Sequence, residues 1–521
     1  MTPRTTIPIP RVVQGCLLLV AVAFMQPIAS AQSWTQLGMD IDGEEEWNFS
    51  GRAVSISADG STVAIGASDN DGNGTHAGHV RVYKFVSGNW IQQGADIDGE
   101  AAFDESGASV SLSDDGLTLA IGAIYNDGNG SGINTGQVRV YQWDGSAWTQ
   151  LGADIDGEAD DDSAGWSVSL STDGLTLAIG APGNSENGTY AGSVRVYEFV
   201  AGQWMQLGAD IDGEAAGDVS GWSVSLSADG STVAIGAPQN DGNGDDSGHV
   251  RVYEFMAGEW VQLGSDLDGE AVDDAFGGSI SLSDDGVTLA IGARFNNGNG
   301  IRAGRVRVYE FLSGLWTPLG AAIDGEAAFD ESGATVNLSA NGLTLAIGAP
   351  NNDGYMFSAG HVRVYKFLSG GWIQHGADID GEGESDHSGG STSDISGCAI
   401  ALSAGGSTVA IGAPFNGGNG NLSGHVRVYQ DPNVVGIVEN GFGPNLTVQP
   451  NPTTGHITIS LDHYYNDLHV EVSDITGKQV ATFNFGTAAQ VTFELEGASG
   501  IYFLDITSAE GKSASVKVVK N

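Results

Sequence analysis

The sequence predicts an all-β chain: a seven-bladed β-propeller followed by a small C-terminal β-sandwich. Three observations predict it. Trp34, Trp90, Trp148, Trp204, Trp260, Trp316 and Trp372 recur 56, 58, 56, 56, 56 and 56 residues apart, and a fixed period of this size marks a repeat architecture. Every period carries the same four short segments: S-V-S-L-S (A), L-A-I-G-A (B), H-V-R-V-Y (C) and the Trp segment (D). All four alternate, are rich in Val, Ile, Leu and Tyr, and are bounded by Gly, Asp and Asn turns, as strands are. Finally, no helical period of useful length interrupts them. Four antiparallel strands repeated seven times make propeller blades. A stacked solenoid is the alternative, but 56 residues with four strands is a blade-sized unit.

Residues 1–31 read as a secretory signal. Arg4 and Arg11 precede a short apolar run, Cys16 to Met25, and Ala29-Ser30-Ala31 is a cleavage site of the A-x-A type. The run is too short for a membrane anchor, so no transmembrane segment is expected in the mature chain. Cleavage leaves Cys398 as its one thiol. Residues 32–430 hold the repeats. They open with a D segment, Trp34–Gly38, and close with a C segment, His425–Tyr429. The first D is therefore expected to complete the last blade and leave no exposed edge. Residues 431–444 form a Gly/Pro/Asn-containing linker, and 445–521 show new strand patterns of a size that suits a small sandwich.

Asp and Glu number 65 against 19 Lys and Arg, a formal charge of −46. That excludes a general nucleic-acid or anionic-membrane binder, which needs a basic surface. It suits an extracellular protein or one that collects cations.

The units resemble FG-GAP repeats, the propeller repeats of integrin α-subunits. Phe276-Gly277 supplies the "FG"; Gly180-Ala181-Pro182, Gly236-Ala237-Pro238, Gly348-Ala349-Pro350 and Gly412-Ala413-Pro414 supply the "GAP". The family's calcium loop between strands A and B is reduced here to an Asp-Gly or Asn-Gly turn, so that site does not carry over. The tail resembles the type A C-terminal sorting domain of the type IX secretion system, through Pro450–Gly455, Asp474–Lys478, Gly500–Leu504 and Lys517–Lys520. This resemblance implies a Bacteroidetes-type source, the type IX machinery as partner, and a secreted or surface-attached product with its tail removed.

Chemistry is sparse. No P-loop, zinc-protease motif or C-x-x-C is present, no catalytic constellation is identified, and the chain is read as non-enzymatic. The repeated His79, His249, His361 and His425 alternate with Gln137, Ser193 and Arg305, as at a tolerant strand position. The seven Arg of H-V-R-V-Y are expected to pair with blade carboxylates or stack on a Trp.

The acidic D-x-D-G-E loops are the candidate metal ligands, because alternating carboxylates around a Gly turn suit a hard cation such as calcium. They comprise Asp40, Asp42 and Glu44; Asp96, Asp98 and Glu100; Asp154, Asp156 and Glu158; Asp210, Asp212 and Glu214; Asp266, Asp268 and Glu270; and Asp378, Asp380 and Glu382. Repeat six has Ala322 in the first position. Further acids before strand A include Asp104, Asp161, Asp218, Asp274 and Asp330.

Two features break the symmetry. Trp166 and Trp222 fall at the start of strand A on neighbouring blades, where exposed rings could stack on a sugar and buried ones would fill space. Glu382 to Gly397 spans fifteen residues where Glu100 to Gly107 spans seven. This insert of eight residues is read as holding Asp386, His387 and Asp394. The expected function is a binding or adhesion module for an extracellular protein or glycan. The alternative is a propeller enzyme acting on extracellular polysaccharide, which a symmetry-broken cluster of acids or His at the central mouth would favour.

Overall fold

The computed structural model describes residues 33–128, 132–368, 370–390, 399–431, 446–449, 453–474, 478–497, 500–509 and 512–520. The signal segment, Cys398, Asp394, most of the linker and parts of the sorting motifs (450–452 and 475–477) lie outside the described residues.

Among the described residues, seven antiparallel five-stranded sheets form the repeat region. In the fourth, A is Ser223–Leu226, B is Thr232–Ala237, C is His249–Met256 and D is Glu259–Gln262. The fifth piece, D′, is Leu267–Asp268. It returns to the same C strand after a break at Gly264, whose φ of +84° and contact with Trp316 leave no room for a side chain. D covers the far end of C (Phe255 opposite Trp260), and D′ covers its start (His249 opposite Asp268). This double coverage brings each acidic loop back to the His position of its own blade.

The A strands touch in a closed cycle, each meeting the A strand of the blade before and after it. B is buried over all six residues in every blade, because neighbouring blades pack on both of its faces. Its sequence is therefore continuous and small rather than alternating. Gly236 shows the constraint: a Cβ there would lie 2.1 Å from the carbonyl of Gly277 on the next blade. The apolar clusters lie between blades. One joins Val194 and Val196 of the third to Leu226, Val233 and Ile235 of the fourth, and full burial of each such side chain contributes about 1.5–3 kcal/mol.

Polar groups tie the blades as regularly. The Ser111 hydroxyl accepts from the Leu170 amide at 2.9 Å, and Asn337, replacing that Ser in repeat six, accepts from Leu402 at 2.8 Å. Each D-strand indole donates to a carbonyl of the preceding blade, as Trp260 Nε1 does to Leu207 at 2.7 Å.

The ring closes as expected. Thr35–Gln36 and Ile41–Asp42 pair with His425–Gln430, with Thr35 opposite Gln430 and Ile41 opposite Val426. Trp34 Nε1 donates to the His375 carbonyl at 3.1 Å. The tail forms two further sheets. One holds Thr447–Gln449, His456–Tyr465 and Ala488–Glu494; the other holds Gln479–Phe485, Leu468–Asp474, Gly500–Thr507 and Ser513–Lys520. Ile457, Ile459, Val470, Val472, Phe493, Leu504 and Ile506 share one core across them. Among the described residues there is no helix, and none long and apolar enough to cross a membrane.

Candidate functional site

The loop acids converge between blades more than within one loop. The Glu of each loop faces the Arg of the next blade: Glu44–Arg81 at 3.5 Å, Glu100–Arg139 at 3.8 Å, Glu158–Arg195 at 3.5 Å, Glu214–Arg251 at 3.6 Å, Glu326–Arg363 at 3.1 Å and Glu382–Arg427 at 3.3 Å, with Glu270–Arg307 the seventh pair. In every pair but Glu270–Arg307 the guanidinium also donates to the backbone carbonyl of the second Asp, as Arg251 does to Asp212 at 2.7 Å. It lies over the Tyr two residues on, 5.5 Å from the ring centre for Arg251 and Tyr253. The repeated Arg thus stacks on Tyr, where the sequence suggested Trp. One oxygen of the first Asp takes a Gln side chain four residues back, as in Gln36–Asp40, Gln92–Asp96, Gln150–Asp154, Gln206–Asp210, Gln262–Asp266 and Gln374–Asp378. Burial and the neighbouring first Asp push the carboxyls of Asp42, Asp98, Asp212, Asp268 and Asp380 up.

At four junctions a buried His joins these acids: Asp40–Asp42–His425, Glu44–His79–Asp96, Glu214–His249–Asp266 and Glu326–His361–Asp378. Burial, reinforced by the adjacent Arg, pushes His79, His361 and His425 down to about 4, so these imidazoles are neutral at neutral pH.

The D-to-A and B-to-C loops share one face and hydrogen-bond each other, as in Glu105 N to His76 O at 3.0 Å. The acid before strand A staples them. Asp104 accepts from the Ala101 amide and from Asn126 Nδ2, each at 2.9 Å, and Asp218, Asp274 and Asp330 repeat this. In repeat three the staple is Asp162, which accepts from Asn184 at 3.3 Å; Asp161, named from the sequence, is exposed.

The insert also moves. Asp386 accepts from the Gly383 amide at 2.6 Å and from Asn416 at 2.9 Å, so it is the seventh repeat's staple. His387 takes the place of Glu105, its amide bonded to the Ser358 carbonyl at 3.2 Å. Gly389 donates to Gly412 as Gly165 does to Gly180. Glu382 to Gly389 is therefore the usual seven residues, and the eight additional ones follow Gly389. Counting to Gly397 misaligned the repeat because Gly-rich spacing offers two equally good matches. Asp386 and His387 have counterparts in the other repeats; Asp394 lies outside the described residues.

Around the mouth, the residues that differ from blade to blade come together. Trp166 and Trp222 are half-buried and lean on each other, with ring centres 4.7 Å apart at 50°. They line a cavity of about 660 Å³ with Phe295, Arg294, Arg302 and Asp246. Arg294 and Arg302 both lie over Phe295, at 4.4 and 4.5 Å.

Elsewhere on this face, Arg52, buried at the start of strand A, lies 3.4 Å from Asp69 and 3.8 Å from Glu105. His76 pairs with Asp69 at 2.8 Å. Burial pushes Glu105 up to about 7 despite the pull of Arg52. Arg52 stands in the same variable column as Trp166 and Trp222, but Asp69, Glu105, Phe295, Arg294 and Arg302 were not singled out from sequence. Comparing the repeats column by column would have found them, because they occupy the positions where otherwise near-identical units disagree.

These contacts define a β-propeller assembled from one repeated unit. Within it, residues 209–253 match the FG-GAP repeat, and beyond it residues 447–521 match the secretion system C-terminal sorting domain. The tail is a type IX sorting domain, which directs the chain to secretion or the cell surface. No curated protein matches the chain. Among solved structures it is similar to the GH74 xyloglucanase from Xanthomonas campestris (11% identity, 83% of this chain and 60% of that one, TM-score 0.40). It is also similar to an acylaminoacyl peptidase from Pyrococcus horikoshii (10%, 81% and 61%, 0.41) and to AofleA from Arthrobotrys oligospora (12%, 67% and 96%, 0.38). The chain thus covers less than two thirds of the first two, and at these scores none of the three carries a functional argument.

Proposed function

We propose that the chain is an exported binding module whose ligand, a glycan, seats in the cavity at the loop-rich mouth, with residues 1–31 serving as a cleaved secretory signal. One observation carries this reading: the half-buried Trp166–Trp222 pair lines a cavity at the place where seven near-identical blades differ most. Aromatic faces pack against the apolar face of a sugar ring, and Arg294 and Arg302 add donors for its oxygens. A glycan array probed with the purified chain, followed by Trp166→Ala with Trp222→Ala, tests it. Binding should fall at least about tenfold, the loss of ~1.4 kcal/mol, with little change in melting temperature. A large melting loss with unchanged binding assigns both rings to packing.

A specific observation supports a second reading. The Arg52–Asp69–Glu105–His76 cluster is asymmetric, and a carboxyl pushed up to about 7 beside a second carboxylate is the pairing a general acid requires. Polysaccharide cleavage that is abolished by Glu105→Gln would favour an enzyme. Equal product release by the variant would exclude this cluster.

A further inference from the structure

We propose that the four His-bearing blade junctions are binding sites for a divalent transition metal, each formed by a buried imidazole and the carboxylates of the D′ loops around it. At three of them, His79, His249 and His361 each share the junction with one Glu from the preceding blade and one Asp from their own. At the fourth, His425 meets Asp40 and Asp42. In every case one ligand atom per residue lies within 4.8 Å of the others.

The imidazoles are the independent sign of a ligand. Each is at most 2% exposed, and its Nε2 has no hydrogen-bond partner among the described residues. A buried polar group without a partner is costly. Their Nδ1 atoms nevertheless face a carboxylate oxygen, at 4.0 Å for His79 and Asp96, 3.9 Å for His249 and Glu214, 3.9 Å for His361 and Asp378, and 3.8 Å for His425 and Asp40. That is too far for a hydrogen bond. It is close to the ~3.3 Å that separates two ligands of a tetrahedral ion with bonds of ~2.0 Å.

The acids are aimed in advance. Gln92 holds Asp96 by Oδ1 and leaves Oδ2 toward His79. Arg251 holds Glu214 by Oε1 and leaves Oε2 toward His249. Outer contacts of this kind orient metal ligands.

The chain also contains its own comparison. In the fifth junction Arg305 stands in the His position, Ala322 replaces the first Asp, and Pro318 replaces the Gln that would have held it. The Arg305 guanidinium occupies the junction, donating to Asp324 at 2.6 Å and to Glu270. One negative charge is lost and one positive gained, a change of two charges, which is the charge of a divalent ion. A side-chain cation has replaced the His–Asp ligand pair as a unit. Calcium prefers six to eight oxygens, whereas imidazole with carboxylate suits zinc, cobalt or nickel. A metal here links Glu of one blade to His and Asp of the next and stabilises the ring by mass action.

The test titrates Co²⁺, then Zn²⁺, into the purified chain and follows the visible bands of low-coordinate cobalt together with the melting temperature. Up to four sites are expected, with a rise in melting temperature that EDTA reverses. His249→Gln should remove about a quarter of the cobalt signal. Replacing all four His by Gln, which the fold already accepts at Gln137, should abolish both signal and shift. A wild type without intense cobalt bands, or a fourfold variant that binds cobalt as the wild type does, overturns the proposal. So does calcium raising the melting temperature equally in both proteins while cobalt gives no band, since the loops would then act as oxygen-only sites.

Discussion

Trp34→Ala tests whether the ring depends on its non-covalent closure. Trp34 is buried and packs in one cluster with Val362, Val364, Ile400, Leu402, Val409 and Tyr429, while its indole donates to the His375 carbonyl. Truncating a buried Trp costs about 3–5 kcal/mol, and the lost hydrogen bond lies within that range. With unfolding entropy of ~2.1 cal/mol/K per residue over the propeller's roughly 400 residues, 4 kcal/mol lowers the melting temperature by about 5 °C. Position matters more than size. Trp260 makes the equivalent hydrogen bond to Leu207, but its strand is joined to its partner by a hairpin, Phe255 facing Trp260. The Trp34 strand meets His425–Gln430 with most of the chain between them. Hydrogen exchange should therefore rise selectively in 35–42 and 425–430 for Trp34→Ala, whereas Trp260→Ala leaves 249–256 protected. An unchanged melting temperature, or exchange in 425–430 no faster than in wild type, would refute the closure argument.

Two further outcomes follow from particular residues. Asp386→Ala leaves the Gly383 amide and Asn416 without their acceptor and should cost about 1–3 kcal/mol in urea unfolding. Removing residues 391–397 from the relocated insert should change stability by no more than about 0.6 kcal/mol; the opposite ranking would restore Asp386 to the insert. Glu105, pushed up from 4.5 to about 7 by burial, keeps a proton in the folded chain that the unfolded chain has released. Its contribution to stability is therefore present below pH 4.5 and is lost as pH rises toward 7. The loss is about 3 kcal/mol at most. Glu105→Gln should match wild type near pH 4 and exceed it at pH 8; parallel stability curves across that range would show that Glu105 is not held protonated.

The sequence alone determined the all-β class, the period, the strand pattern and the closing Trp34 segment. Each follows from local rules: alternation, Asp-Gly turns and a unit that cannot bury its faces without neighbours. The sorting tail was legible in the same way, from motifs in order. Repetition also identified the recurrent Arg as a structural partner, although its Tyr is visible only once the C strand is extended. Tertiary structure decided the sites. His249, Glu214 and Asp266 are separated in sequence and meet because D′ doubles back onto C while the preceding loop crosses from another blade. Asp386 and His387 became ordinary repeat positions when the Gly389 hydrogen bond set the register that Gly spacing left ambiguous. Trp166, Phe295, Arg52 and Glu105 share the loop-rich face although they come from different repeats. A propeller gathers one column of its repeats around a single axis, and linear order does not encode that proximity.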